Sequence, residues 1–227
     1  MAFHYSPNII TDGLVLYLDA ANTKSYISGS TTWNDISRGG NNGTLTNGPT
    51  FNGGNGGNIV FNGTDDFILG NDITSLFSNK LYASVVYRLT SSGNYPMVLN
   101  VGGSGGVGEG FTIRHNLSTG RPQLVLSSNG VTKTVEQTIS VLNTLVQLGI
   151  YYDGSVIKLY KNGVYTGNSS AASGNIQFGT SPRYKVGARA DGFYFGGRVY
   201  NVQIYNKALS DSEILQNFNA LKSRFNI

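Results

Sequence analysis

The sequence predicts an all-β sandwich of antiparallel strands closed by one short C-terminal helix, and three observations carry that prediction. Short apolar runs with alternating polarity recur along the chain, separated by turns rich in Asn and Gly. Charged residues make up only 12% of the chain, against roughly 25% in an average globular protein, and polarity comes instead from Asn, Ser, Thr and 31 Gly. These are residues of turns and of solvent-facing strand positions. No strand-helix-strand unit is visible, which argues against a parallel nucleotide-binding sheet. The 227 residues suit a single sandwich domain, large enough to bury a core without disulfides.

Taken in order, residues 1–12 show no period and carry Pro7, so they are expected to form an arm that lies on a neighbouring molecule. The sandwich is expected over 13–209. It opens with Leu14, Leu16 and Leu18 alternating with Val15, Tyr17 and Asp19, a strand with one face in the core. The Asn/Gly-rich passage from Asn41 to Asn58 reads as an ordered surface meander anchored by Leu45 and Phe51. Ile59-Val-Phe61 and Phe67-Ile-Leu69 flank a tight turn. Further strands are predicted at 81–89, 96–101, 110–115, 122–127, 130–135, 145–152, 156–161, 164–166, 184–188 and 198–205. Asn162-Gly163 supplies the positive φ angles of a type I′ hairpin. Ser210 and Glu213 have the spacing of a capping box, and Ile214, Leu215, Phe218 and Leu221 repeat at helical spacing, so 210–227 is predicted as an amphipathic helix packed on the sandwich.

Composition excludes several functions. The formal charge is +4, but Lys and Arg are scattered rather than clustered, so no nucleic-acid partner is expected. With no Cys there can be no disulfide, thiolate nucleophile or Cys-ligated zinc. The N-terminal residues lack a signal-peptide pattern, and no run approaches the ~18 apolar residues of a membrane span, so a soluble chain made without a secretion signal is expected. Asn42, Asn62, Asn116 and Asn168 stand in Asn-X-Ser/Thr triplets and read as turn chemistry rather than glycan acceptors.

A set of motifs in a fixed order adds to this reading. It comprises Gly13-Leu-Val-Leu-Tyr-Leu, Trp33-Asn-Asp-Ile-Ser followed by Asn42-Gly-Thr-Leu45, Ile59-Val-Phe-Asn-Gly-Thr-Asp-Asp-Phe67, Tyr152-Asp-Gly154, Leu159-Tyr-Lys-Asn-Gly-Val164, and Val202-Gln-Ile-Tyr-Asn-Lys-Ala-Leu-Ser-Asp-Ser-Glu-Ile214. Together they resemble the laminin-G-like domains of the concanavalin A-like lectin and glucanase superfamily over nearly all of 13–218. The resemblance implies a two-sheet jelly roll whose last strand, 198–205, returns near the first. Tyr87 and Leu145 stand where that family often has Trp, as substitutions at packing positions. The opening from Ile9 to Asn22 also looks like laminin-G-like structural proteins of tailed bacteriophages. That likeness implies a non-enzymatic virion component, a capsid decoration, fibre or tail appendage assembled in the host cytoplasm. Its implied partners are other virion proteins, and a homo-oligomer is expected. The alternative is a lectin module recognising cell-surface glycans.

The paired carboxylates of a glycosidase, as a Glu-x-Asp-x-Glu run on one strand, are missing, and Asp211 and Glu213 are explained by helix capping, so no catalytic residue is expected. Gly103, Gly105 and Gly108 match a Gly-x-Gly-x-x-Gly pattern but precede a strand rather than a helix. His4 and His115 lack ligand or triad spacing. The only Trp, Trp33, reads as packing. Asp65 and Asp66 are expected to cap their turn; the resemblance also implies a calcium option there, recruiting Asp153 or an Asn-rich loop. The best surface candidate is the strip containing Arg183, Tyr184, Arg189, Phe193, Tyr194 and Arg198, where aromatics interleave with cations; loops 102–109 and 189–197 would flank a sugar.

Overall fold

A computed structural model describes residues 7–91, 96–103, 107–189 and 192–227. The first six residues, with His4, and residues 92–95, 104–106 (with Gly105) and 190–191 lie outside the described set.

Two eight-stranded antiparallel sheets face each other. The first contains β1 (Leu14–Asp19), β4 (Thr50–Asn52), β5 (Asn58–Asn62), β7 (Leu81–Ser91), β12 (Leu145–Tyr152), β13 (Val156–Lys161), β14 (Val164–Ala171) and β16 (Gly196–Tyr205). Its order is β14-β13-β12-β7-β16-β5-β4, with β1 also on β16. The second contains β2 (Thr32–Trp33), β3 (Gly43–Thr46), β6 (Phe67–Leu69), β8 (Met97–Gly102), β9 (Phe111–His115), β10 (Pro122–Ser128), β11 (Val131–Glu136) and β15 (Arg183–Val186), in the order β11-β10-β9-β8-β15-β6-β3-β2. Pairing of β1 with β16 joins the first strand to the last, as the family resemblance implies.

Alternation places the core between the sheets. Ile59 and Phe61, Val85 and Tyr87, and Leu148 and Ile150 point inward from the first sheet. Ile68, Tyr184 and Val186, Phe111 and Ile113, and Leu124 and Leu126 point inward from the second. Trp33 is fully buried in this core, so its packing role holds. The Asn-Gly hairpin also forms as predicted, with φ of 50° at Asn162 and 76° at Gly163.

Two sequence expectations are corrected. In β1 the register slips between Leu14 and Leu16, so Val15 and Leu16 both enter the core while Leu14 turns to the opposite face. A bulge breaks the strict alternation expected there. The Asn41 to Asn58 passage is not only a meander: β3 pairs with β6, and β4 pairs with β5. Leu45 and Phe51 pack on the core as anchors, and the ladder hydrogen bonds come from residues too polar to show a strand pattern.

α1 (Asp211–Phe225) is capped as predicted: Ser210 Oγ accepts from the Glu213 N–H, and Glu213 accepts from the Ser210 N–H. The helix lies across the outer face of the first sheet. Ile214 packs with Tyr82, Tyr160 and Tyr205, and Leu221 and Phe225 pack with Val86 and Tyr200. The described part of the expected arm does not reach away from the fold. The Ile10 N–H donates to Asn217 Oδ1, Tyr205 O–H donates to Ile10 O, and Gln216 donates to Asn8 O.

Candidate functional site

With α1 and residues 8–12 over the first sheet, the outer face of the second sheet is the broad face without a covering helix among the described residues. Its composition follows from register. Residues directly opposite in neighbouring antiparallel strands share a face, and Glu136, Gln123 and Arg114 are successive partners across β11, β10 and β9. A second row runs Thr134, Val125, Thr112, Asn100, Lys185, Leu69 and Thr44 across seven strands, with Val125, Thr112 and Asn100 fully buried.

The first row is wired by side chains. Gln123 Nε2 donates to Glu136 Oε2 at 2.6 Å, and Arg114 Nε donates to Gln123 Oε1 at 3.0 Å. Arg114 Nη1 lies 3.5 Å from Glu109 Oε1, and Arg189 Nη1 lies 2.9 Å from the same oxygen. The Glu109 side chain is only 3% exposed, so its charge is held between two guanidiniums in a nearly dry setting. Glu109 sits there because its loop is pinned on both sides. It bridges Phe178, and the Gly110 N–H donates to Gln177 O. Below, Asn100 Nδ2 donates to Thr112 Oγ1 at 2.9 Å, a fully buried polar floor. Of the wired row, Arg114 and Glu136 remain half-exposed, so donor and acceptor groups with preset geometry reach solvent.

The strip singled out from sequence is divided by the fold. Tyr184 points into the core, fully buried, and its O–H donates to Asn41 O at 2.7 Å; it is not a surface residue. Arg183 is exposed on β15 and donates from Nε to Gly70 O. Arg189 stacks over the Phe193 ring at 4.8 Å while it pairs with Glu109, and half-buried Tyr194 packs against Phe67 with centroids 6.4 Å apart. These residues border the polar ladder. Arg198 does not: it lies on β16, opposite Arg88, on the outer face of the first sheet. The reason is that residues 183–186 belong to one sheet and 196–205 to the other, so a strip continuous in sequence crosses the sandwich.

At the turn between β5 and β6, the cap is Asn62, whose Oδ1 accepts from the N–H groups of Thr64, Asp65 and Asp66. Asp65 is exposed and accepts from Asn62 Nδ2; Asp66 is 4% exposed and accepts from the Asn62 N–H through Oδ2. Burial pushes the Asp66 carboxyl up, against the pull of that N–H. The two carboxylates are committed separately. Asp153 Oδ1 is taken up by Ser155 and Val156, and among the described residues no three acidic or imidazole side chains converge as a metal set. Gly103 and Gly108 lie ahead of β9, a strand, so they frame no phosphate cradle.

Sequence reasoning missed Glu109, Arg114, Gln123 and Glu136. For Arg114 and Gln123 a signal existed, since they stand equally far from the turn of the β9–β10 hairpin and must face each other. Contact between Glu109 and Arg189 spans 80 positions and leaves no local trace.

No curated protein matches the sequence. Among solved structures, domain 4 of AbnA, an extracellular arabinanase from Geobacillus stearothermophilus in complex with arabinotriose, is similar with a TM-score of 0.71 at 17% identity, covering 90% of this chain and 97% of that one. The binding domain of botulinum neurotoxin serotype D is similar with a TM-score of 0.69 at 15% identity, covering 92% of this chain and 51% of that one. Trypanosoma rangeli sialidase is similar with a TM-score of 0.63 at 16% identity, with 93% of this chain and 33% of that one covered. At such identities the likeness shows the fold alone. A family model described as the concanavalin A-like lectin/glucanases superfamily matches residues 62–215, and with more than half of its length within that match the chain belongs to this superfamily as a lectin-like jelly-roll domain.

Proposed function

We propose that this protein is a non-catalytic carbohydrate-binding module that holds saccharides on the outer face of its second sheet. The observation that carries the reading is the wired row Glu136–Gln123–Arg114–Glu109–Arg189, bordered by Phe193, Tyr194 and Phe67. Sugar hydroxyls both donate and accept, so they are recognised by fixed amide, guanidinium and carboxylate groups next to apolar rings. Domain 4 of AbnA, which spans about the same length, was solved with arabinotriose, and this adds support.

A glycosidase would need two carboxylates about 5–9.5 Å apart and free to act on the scissile bond. Here Glu109 is clamped by two arginines, and Glu136 accepts from Gln123 and Asn116. Both are fitted to orient partners rather than to transfer protons. The virion role expected from the sequence concerns what carries the module; a fibre or tail appendage would use this same face to hold cell-surface glycans.

A glycan array that includes arabino-oligosaccharides and sialylated glycans, read for wild type and Arg114→Ala, tests the reading. The expected result is binding to a narrow saccharide class, weakened at least about tenfold by the substitution, the loss of one hydrogen bond from a charged donor. Silence across the array, or binding untouched by Arg114→Ala, sinks it.

A further inference from the structure

On the outer face of the first sheet, away from the proposed sugar face, Arg88 and Arg198 are direct cross-strand partners of β7 and β16. Val199 and Leu89 point into the core, so alternation turns both arginines outward. Like charges placed directly opposite are destabilising, with Cβ atoms about 4.5–5.5 Å apart. Neither guanidinium has an ion pair or hydrogen bond among the described residues, whereas half-buried Arg189 pairs with Glu109 and Arg224 with Asp19. Arg88 Nε is moreover buried with no partner. A charged donor removed from water and left unpaired is costly, and Arg88 Nε beside the half-buried, unpaired Arg198 guanidinium marks a place where a ligand completes the bonding.

The neighbours define what that ligand is. In the same cross-sheet row, Val60 stands beside Arg198 and Leu145 beside Arg88, and Thr50 follows Val60. Apolar flanks lower the local dielectric and strengthen attraction for an opposite charge, and two planar forks side by side suit an ion with several acceptor oxygens. We propose that Arg88 and Arg198 form an oxyanion site, taking a sulfate, phosphate or carboxylate group, on the sheet opposite the sugar face.

Thermal unfolding and titration calorimetry of the full chain test this, with inorganic sulfate, inorganic phosphate, acetate and galacturonate compared with chloride at equal ionic strength. The expected result is that at least one oxyanion raises the melting temperature beyond chloride, by about 3–5 °C at ten times its Kd. The rise should vanish in Arg88→Gln and in Arg198→Gln and shrink in Arg88→Lys, which keeps charge but not the fork. Response to sulfate or phosphate alone identifies a free inorganic ion, and response to galacturonate above acetate identifies the carboxylate of an acidic sugar; either supports the site. In chloride both Gln variants should melt no lower than wild type, since each relieves the like-charge pair. An equal rise in wild type and variants, no rise beyond chloride, or variants that melt well below wild type in chloride would each overturn the proposal.

Discussion

His115 shows how far a single environment reaches. It is fully buried, and its Nδ1 lies 3.0 Å from the Gly120 carbonyl oxygen, which can only accept. Nδ1 therefore carries the proton, and Nε2 accepts the Tyr87 O–H at 2.7 Å. Burial lowers the His115 pKa to about 4, against the opposing Gly120 hydrogen bond. In the unfolded chain the group titrates near ~6.5, so that state binds more protons between the two values. The contribution to stability is thus complete above about pH 6.5 and falls by up to about 1.4 kcal/mol per pH unit as pH drops towards 4. Urea unfolding from pH 7.5 to 4.5 should show this loss in wild type and a flatter profile in His115→Gln. Parallel profiles would show that other groups carry the acid sensitivity.

Among the elements, α1 has the most separable energetics. Its capping box satisfies backbone donors at the N-terminus, and Lys222 and Arg224 near its other end favour the helix dipole. Ser210→Ala should cost about 1 kcal/mol, measured as a lower urea midpoint with an unchanged slope. No change would mean that packing on Tyr82, Tyr200 and Tyr205 alone sets the helix end. The β9–β10 hairpin positions the candidate site in the same local way. Its turn fixes Arg114 opposite Gln123, and the next register step fixes Gln123 opposite Glu136. Three of the five residues in the wired row are therefore set by strands adjacent in sequence.

For the molecule as a whole, asymmetry between the two outer faces matters most. One face is closed by α1 and by residues 8–12, which supply partners to Asn217 and Tyr205. Deleting residues 1–12 would leave Asn217 Oδ1 without its donor and the Tyr205 O–H without its acceptor, both in buried side chains. At about 1–3 kcal/mol for each buried group left unsatisfied, the truncated chain should unfold several degrees below wild type. Calorimetry on the two proteins decides; an unchanged melting temperature would return the segment to the role of a free arm.

Most strands, the hairpin at Asn162-Gly163, the capping box and the packing role of Trp33 were legible along the chain, because each depends on alternation, turn chemistry or helical spacing over a few residues; β2, β3 and β4, short and polar, were not. The order of motifs extended that reading to the superfamily. The site was only half legible. Tyr184 and Arg198 read as one surface with Arg189, yet alternation along β15 turns Tyr184 inward, and the chain passes to the other sheet between 186 and 196, which puts Arg198 on the far side. Glu109 finds Arg189 only when the loop before β9 meets the turn after β15, a contact made by packing across 80 positions. Arg88 likewise meets Arg198 only because β16 inserts between β5 and β7. Which residues alternate is a property of neighbouring positions; which rows meet is a property of strand order, and strand order is set by burying both sheets at once.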